Sequence, residues 1–202
     1  MNPVRPFLLA ATILICAASA VNAENASMDH PAVALVKGYL EAIVRQDWKE
    51  ASVMLLPSAL ERRRQKVAAA IKNSSTMTEE AAKLNMLGLK DVRELEKMSP
   101  QEAYILDRKA VHDRMKISPE TLKRKTDTLK IKIIGVASEE EGKVVHVVVR
   151  TSQETEETLI EELLLISAAQ DRENPKKWLI VPDMQEPMTT PLKGAATPAV
   201  AK

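Results

Sequence analysis

The sequence predicts an α+β domain in which N-terminal helices pack on a curved antiparallel sheet of about four strands. Two observations lead to this prediction. From Ala32 to about residue 118, apolar residues recur every three or four positions, which is typical of amphipathic helices. Beyond Thr126 the apolar residues alternate with polar ones, which is typical of strands. Helices that come first, followed by antiparallel strands, indicate the α+β class.

Residues 1–23 have the order of parts of a cleavable secretory signal. Arg5 precedes an apolar stretch that begins at Phe7, and small residues follow as far as Ala23. The stretch is shorter than the roughly 20 residues that a membrane-spanning helix needs. We therefore predict cleavage after Ala23, with a cut after Ala20 as the second choice. The remaining chain is expected to be periplasmic or secreted, without stable membrane insertion.

The composition excludes several classes of function. The chain has 29 basic and 28 acidic residues, and the predicted cut removes Arg5 and the single cysteine, Cys16. A neutral chain has no long-range field that would attract nucleic acid or anionic lipid. Without a thiol it has no disulfide, cysteine nucleophile or cysteine metal site. Phosphate loops, paired-histidine metal helices and serine elbows are also missing from the sequence. We expect no nucleic-acid partner, no metal and no cofactor.

The first predicted helix begins near Pro31 and repeats apolar residues through Val44, with Asp29 as its expected cap. Five more helices are marked by start and end signals. These signals are Asp47 with Pro57, Ser58 with Asn73, Thr78 with Gly88, Asp91 with Glu94, and Ser99 with Glu102, the last helix ending before Pro119.

Four strands are expected after the helices. Residues 129–133 and 144–149 should form a hairpin around the turn at 138–143, followed by strands at 158–167 and 177–181. The stretch from Leu163 to Ile166 is apolar at every position, so we expect it to be covered on both faces. Residues 184–202 lack periodicity and are predicted to be a disordered tail. This leaves one domain, residues 24–183.

This element order is similar to that of a known superfamily. A long amphipathic helix, the segment RQDWKEASVMLLP, further helices, a hairpin and two strands that end in KKWLIVPD resemble the nuclear transport factor 2-like superfamily, or cystatin-like cones. The resemblance covers Pro31 to Asp183, although residues 58–118 hold more helix than the family pattern. It implies a cone whose helices and concave sheet enclose a cavity. Members of the superfamily include isomerases, dehydratases, small-molecule binders and dimerising scaffolds, so the fold alone does not decide function.

The candidate pocket-lining residues are the aromatic side chains and one strand histidine: Tyr39, Trp48, Tyr104, Trp178 and His146. His146 shares a strand face with Val144 and Val148, so it would enter the cavity if that face is the concave one, and otherwise it is an outward-facing strand histidine. The alternative role for Trp48 and Trp178 is that of core anchors.

Other polar residues are expected to be solvated. His30 should be exposed, and His112 should lie on a solvated helix face. The basic cluster at residues 61–66 should also lie on a solvated helix face. Glu161 and Glu162 point to opposite faces of a strand, so one of them is a candidate for an inward-facing base.

Two functions remain open. The first is an exported non-catalytic domain that binds a small apolar ligand, or a protein partner, through the cone cavity or the sheet. A homodimer through the sheet is one form of this hypothesis. The alternative is a cofactorless isomerase or lyase that uses an inward-facing histidine or glutamate as general base.

Overall fold

The computed structural model describes residues 24–139 and 142–182. This part of the chain forms seven helices, followed by an antiparallel sheet whose first, two-residue strand precedes the helices. The predicted α+β class and the order of helices before sheet are confirmed. The predicted secretory signal at residues 1–23, the predicted tail and Asp183 lie outside the described residues.

The helices are α1 Pro31–Val44, α2 Trp48–Val53, α3 Pro57–Lys72, α4 Met77–Leu87, α5 Val92–Lys97, α6 Pro100–Met115 and α7 Pro119–Asp127. The strands are β1 Glu24–Asn25, β2 Lys130–Glu139, β3 Val144–Glu154, β4 Leu159–Gln170 and β5 Trp178–Ile180.

Several of the predicted helix caps are present. Asp47 accepts a hydrogen bond from the Glu50 amide at 2.9 Å. Ser99 and Glu102 form a reciprocal capping box at the start of α6. Gly88 ends α4 in the left-handed conformation, with φ at 68°, which is accessible to glycine because it has no Cβ.

Three features of the helices differ from the sequence-based prediction. His30, and not Asp29, caps α1, because the helix begins directly after it and its Nδ1 accepts from the Ala32 amide. The caps of α3 and α4 also shift slightly, since α3 begins at Pro57 and Thr76 caps α4. Helix α7 was not predicted, because its single apolar residue, Leu122, cannot give a periodic signal.

The sheet has the strand order β1-β2-β3-β4-β5, with every neighbouring pair antiparallel. Val147 at the centre of β3 pairs with Val136 on β2 and with Ile166 on β4. A bulge between Ile133 and Gly135 interrupts the β2–β3 register, and bulges of this kind bend a strand.

Two groups of buried apolar side chains hold the molecule together. The first, here called the sheet core, joins α1, α2 and parts of α3 and α6 to the sheet: Ala32, Val33, Val36, Leu40, Ala42, Ala51, Leu55, Leu60, Tyr104, Val136, Val145, Val147, Val149, Ile166, Ala168 and Ile180. The second, here called the helical core, lies among α3 to α6: Ala68, Ile71, Leu84, Leu87, Leu89, Leu95, Ala103 and Ala110. Helices α3 and α6 therefore contribute to both cores.

The sheet is buried mainly on the face that the helices cover. Val145, Val147 and Val149 point to that face and belong to the sheet core. Leu163 and Leu165 point to the opposite face, here called the outer face, and are 64% and 48% exposed. The prediction that residues 163–166 are covered on both faces is therefore wrong. Among the described residues, no helix has the length and apolar character needed to cross a bilayer.

Candidate functional site

A cavity of about 300 Å³ lies where α1, α2, α3 and α6 meet β4. Its lining includes three of the five predicted pocket residues, Tyr39, Trp48 and Tyr104. Its other lining residues are mostly aliphatic, with three basic or titratable side chains among them: Leu40, Ile43, Leu55, Ala59, Leu60, Arg63, Arg108, His112, Leu164, Ile166 and Pro182.

Helix α6 supplies most of the polar groups of the cavity. Tyr104, Arg108 and His112 are spaced four residues apart, so they lie on the same side of the helix. Tyr39 on α1 and Arg63 on α3 lie at the cavity as well. Three helices thus bring phenol, guanidinium and imidazole groups to one apolar space.

The imidazole of His112 packs against the indole of Trp48. Their ring centroids are 4.6 Å apart, and the rings are tilted by 41°. Burial is the main cause that lowers the pKa of His112, and Arg108 and Lys125 lower it further. Nδ1 of His112 is buried and has no hydrogen-bond partner. The expectation of a solvated His112 is therefore wrong, because the ring lies in the cavity wall.

Two arginines share one carboxylate beside the cavity. Arg63 donates to Oδ2 of Asp107 from Nε at 2.9 Å and from a terminal nitrogen at 2.6 Å. Arg108 reaches the same oxygen with one terminal nitrogen at 3.3 Å, and its Nε is buried without a partner. Arg63 had been expected to be solvated with the rest of the 61–66 cluster. The structure instead places it in an ion pair at the cavity.

The hydroxyl groups of Tyr39 and Tyr104 lie close enough to influence each other. Burial raises the pKa of Tyr39, and the neighbouring Tyr104 hydroxyl and the two arginines partly oppose this. Burial also raises the pKa of Tyr104, and the Tyr39 hydroxyl adds to the increase. Both phenols therefore stay protonated at neutral pH and can donate hydrogen bonds.

His146 and Trp178, the other two predicted pocket residues, do not line this cavity. His146 alternates with Val145 and Val147, so it lies on the outer face, where Nδ1 is 2.8 Å from Oγ of Ser167. Trp178 packs against the sheet core, and its ring meets that of His30 edge-on with centroids 4.7 Å apart.

Neither strand glutamate supplies an inward-facing base. Glu161 and Glu162 are both exposed, although they point to opposite faces of β4. Glu162 pairs with Thr151 near the end of the hairpin, beyond the cavity residues Leu164 and Ile166. The hypothesis of a buried glutamate is therefore wrong.

Arg63, Arg108 and His112 were not predicted as site residues. One signal for two of them exists in the sequence, because Arg108 and His112 follow Tyr104 at intervals of four on a predicted helix. The contact of His112 with Trp48 joins residues distant in sequence, and no local pattern carries it.

Comparison of the chain with protein-family models, curated proteins and solved structures finds no significant match. The resemblance to the nuclear transport factor 2-like superfamily therefore stays a prediction. Within residues 24–139 and 142–182, the histidine, aspartate and glutamate side chains form no group of three or more that could hold a metal ion.

Proposed function

We propose that this chain is an exported, non-catalytic domain that binds a small and largely apolar ligand in the cavity. The observation that carries this proposal is the cavity itself, in which aliphatic and aromatic walls surround a few polar groups. Ligand sites have this composition, and their volumes begin at about 300 Å³. The cavity thus has the size for a small ligand.

The walls explain why an apolar ligand would enter. Leu40, Leu55 and Ile166 are sheet-core residues that also border the cavity. Removing apolar ligand surface from water stabilises a complex by about 25 cal/mol for each Å². The export part of the proposal is supported by the signal-like order of residues 1–23.

The polar groups support binding better than catalysis. His112 is the titratable imidazole of the lining, and no lining residue of the described chain is a carboxylate that could orient it. Asp113 is its neighbour in sequence, and adjacent helix residues point about 100° apart. An imidazole without such a partner lacks the arrangement that most acid–base sites share.

Two neighbouring leucines of β4 give a matched test. Leu164→Trp places an indole in the cavity, whereas Leu163→Trp places the same group on the outer face. Native mass spectrometry would detect a co-purifying ligand, and titration with the neutral dye N-phenyl-1-naphthylamine would measure cavity binding.

We expect the unmodified protein and Leu163→Trp to bind the dye, and Leu164→Trp to lose at least about tenfold in affinity. Equal binding by the two variants would place the dye elsewhere. No co-purifying ligand together with no dye binding by the unmodified protein would overturn the proposed function.

One observation favours a second candidate, a cofactorless isomerase or lyase. His112 is a partly buried imidazole whose lowered pKa keeps it neutral at neutral pH, which a general base requires. Incubation of a co-purified ligand with the protein in D₂O separates the two candidates. A binding domain leaves the carbon-bound hydrogens unexchanged. Deuterium incorporation that His112→Gln abolishes would replace the binding proposal with the enzymatic one.

The predicted homodimer through the sheet stays a prediction. Leu159, Leu163 and Leu165 are exposed on the outer face and give it an apolar surface. Sedimentation of the protein at several concentrations measures its oligomeric state.

A further inference from the structure

The charges at the cavity do not cancel. Arg63 and Arg108 line it, and among the described residues Asp107 is the one carboxylate seen to bind them. Arg63 uses two donors on Asp107, so this pair is neutral as a unit. Arg108 has only the 3.3 Å contact to the same oxygen. The guanidinium of Arg108 is thus left with an uncompensated positive charge.

One donor of Arg108, its Nε, is also unused. Its Nε is buried without an acceptor, and a buried guanidinium N–H can only donate. A donor without an acceptor is costly in the interior of a protein, so these groups are normally paired. The Nε edge of a guanidinium presents two N–H groups, one on Nε and one on a terminal nitrogen. Those two nitrogens match the two oxygens of a carboxylate.

Other donors lie beside Arg108 on the same wall. Tyr104 and His112 are one helical turn away on either side of it, and the Tyr39 hydroxyl lies near Tyr104. Nδ1 of His112 has no partner either. The α6 wall of the cavity is therefore rich in hydrogen-bond donors, and Leu40, Leu55 and Ile166 add apolar walls.

We propose that the ligand is a small apolar monocarboxylate, whose acid group binds Arg108 and whose hydrocarbon or aromatic part fills the space beside Trp48. This inference rests on the proposed function and deepens it. It names the chemical class of the ligand and the residue that selects it.

A single negative charge fits the site better than a double one. Arg63, Arg108 and Asp107 together carry one net positive charge, and the lowered pKa of His112 leaves that ring neutral at neutral pH. A phosphate monoester carries up to two negative charges near neutral pH. It would leave one of them uncompensated beside Asp107, and a charge of that kind is costly in an apolar cavity.

Three probes with the same ring system test the inference: 1-naphthaleneacetate, 1-naphthaleneethanol and 1-naphthyl phosphate. Calorimetry of the full chain would measure each affinity at neutral pH. We expect the unmodified protein to prefer the carboxylate over the alcohol by at least about tenfold, as a charge-assisted hydrogen bond allows. The phosphate should bind more weakly than the carboxylate.

Variants at two arginines of α6 show which residue selects the acid. Arg108→Gln should bring the carboxylate-to-alcohol ratio near one. Arg108→Lys keeps the charge, so it should retain part of the preference even if the glutamine variant folds poorly. Arg114→Gln removes the same charge from an exposed position of the same helix and should keep the full ratio.

The outcomes separate this inference from the proposed function. Equal affinity of the unmodified protein for carboxylate and alcohol would overturn the inference and leave the binding function standing. Tighter binding of the phosphate, or an unchanged ratio in Arg108→Gln, would also overturn it. Failure of all three probes, with no co-purifying ligand, would overturn the binding function as well.

Discussion

The sheet core and the helical core are built from different parts of the chain. The helical core comes entirely from residues 68–110, whereas the sheet core joins residues as far apart as Ala32 and Ile180. The cavity is bordered by sheet-core residues such as Leu40, Leu55 and Ile166, and no helical-core residue lines it. The packing of residues that are distant in sequence has thus produced the interior that borders this cavity, and the short-range packing of α3 to α6 lies away from it.

The largest expected effects test whether the two cores are one cooperative unit. Leu95 of the helical core and Ile180 of the sheet core are 1% and 0% exposed. Leu95→Ala and Ile180→Ala should each lower the free energy of unfolding by about 2–5 kcal/mol, because each leaves a cavity. Since α3 and α6 belong to both cores, each variant should still unfold in one transition, measured with denaturant.

The two tryptophans make this test selective. Trp48 lines the cavity and Trp178 packs against the sheet core, so their fluorescence reports on that region, whereas circular dichroism reports on all helices. Coincident midpoints by both methods are expected for Leu95→Ala. Loss of helix at lower denaturant than the fluorescence change would contradict a single unit. Met77→Ala, at an exposed position, is the control and should change stability by less than about 0.5 kcal/mol.

A smaller effect is expected at the start of α6, the helix that belongs to both cores. Ser99→Ala removes the serine half of the capping box, so it should cost about 1 kcal/mol of unfolding free energy. Thermal or denaturant unfolding measures this. Ser58→Ala, at an exposed position inside the first turn of α3, should cost clearly less. Equal costs for the two serines would show that the cap does not stabilise α6.

The smallest expected effect is a pH dependence of the unfolding free energy that comes from His112, a residue of the cavity lining. Burial lowers the pKa of His112 below its ordinary value of 6.5, so the unfolded chain takes up this proton first as the pH falls. His112 therefore destabilises the fold progressively below about pH 6.5, with no such cost above it. Between pH 7.5 and 5.5, His112→Gln should lose less stability than the unmodified protein.

His30, whose pKa burial also lowers, is present in both proteins, so its contribution cancels in this comparison. An identical loss of stability in the two proteins would contradict the role given to burial of His112.

The sequence was sufficient to predict the fold class and the order of helices and strands, because local sequence signals mark where these elements begin and end. The change of apolar period near Thr126 placed the sheet, and Asp47, Gly88 and Ser99 placed helix ends through hydrogen bonds within a few residues. Helix α7 was not predicted because it has no buried residue and only one apolar residue, Leu122. The covering of Leu163 and Leu165 was wrongly predicted because an apolar residue in a strand does not tell whether anything packs over it.

The site could be predicted only in part. Tyr39, Trp48 and Tyr104 were expected because they are three of the four aromatic residues that follow the predicted cut. His146 was placed in the cavity on the condition that its strand face was concave, and alternation with Val145 and Val147 puts it on the outer face instead. The pairing of Arg63 with Asp107 spans two helices. Its geometry depends on how α3 and α6 pack, which no sequence pattern fixes.

Helix α6 carries the polar groups of the cavity on one side and the helical-core residues Ala103 and Ala110 on others. Helix α6 therefore links the cavity to the helical core. If a larger side chain at Ala110 shifts α6, Tyr104, Arg108 and His112 will move together because they belong to the same helix. Substitutions on the side of α6 that faces away from the cavity can thus change the position of the whole donor set without replacing any of its members.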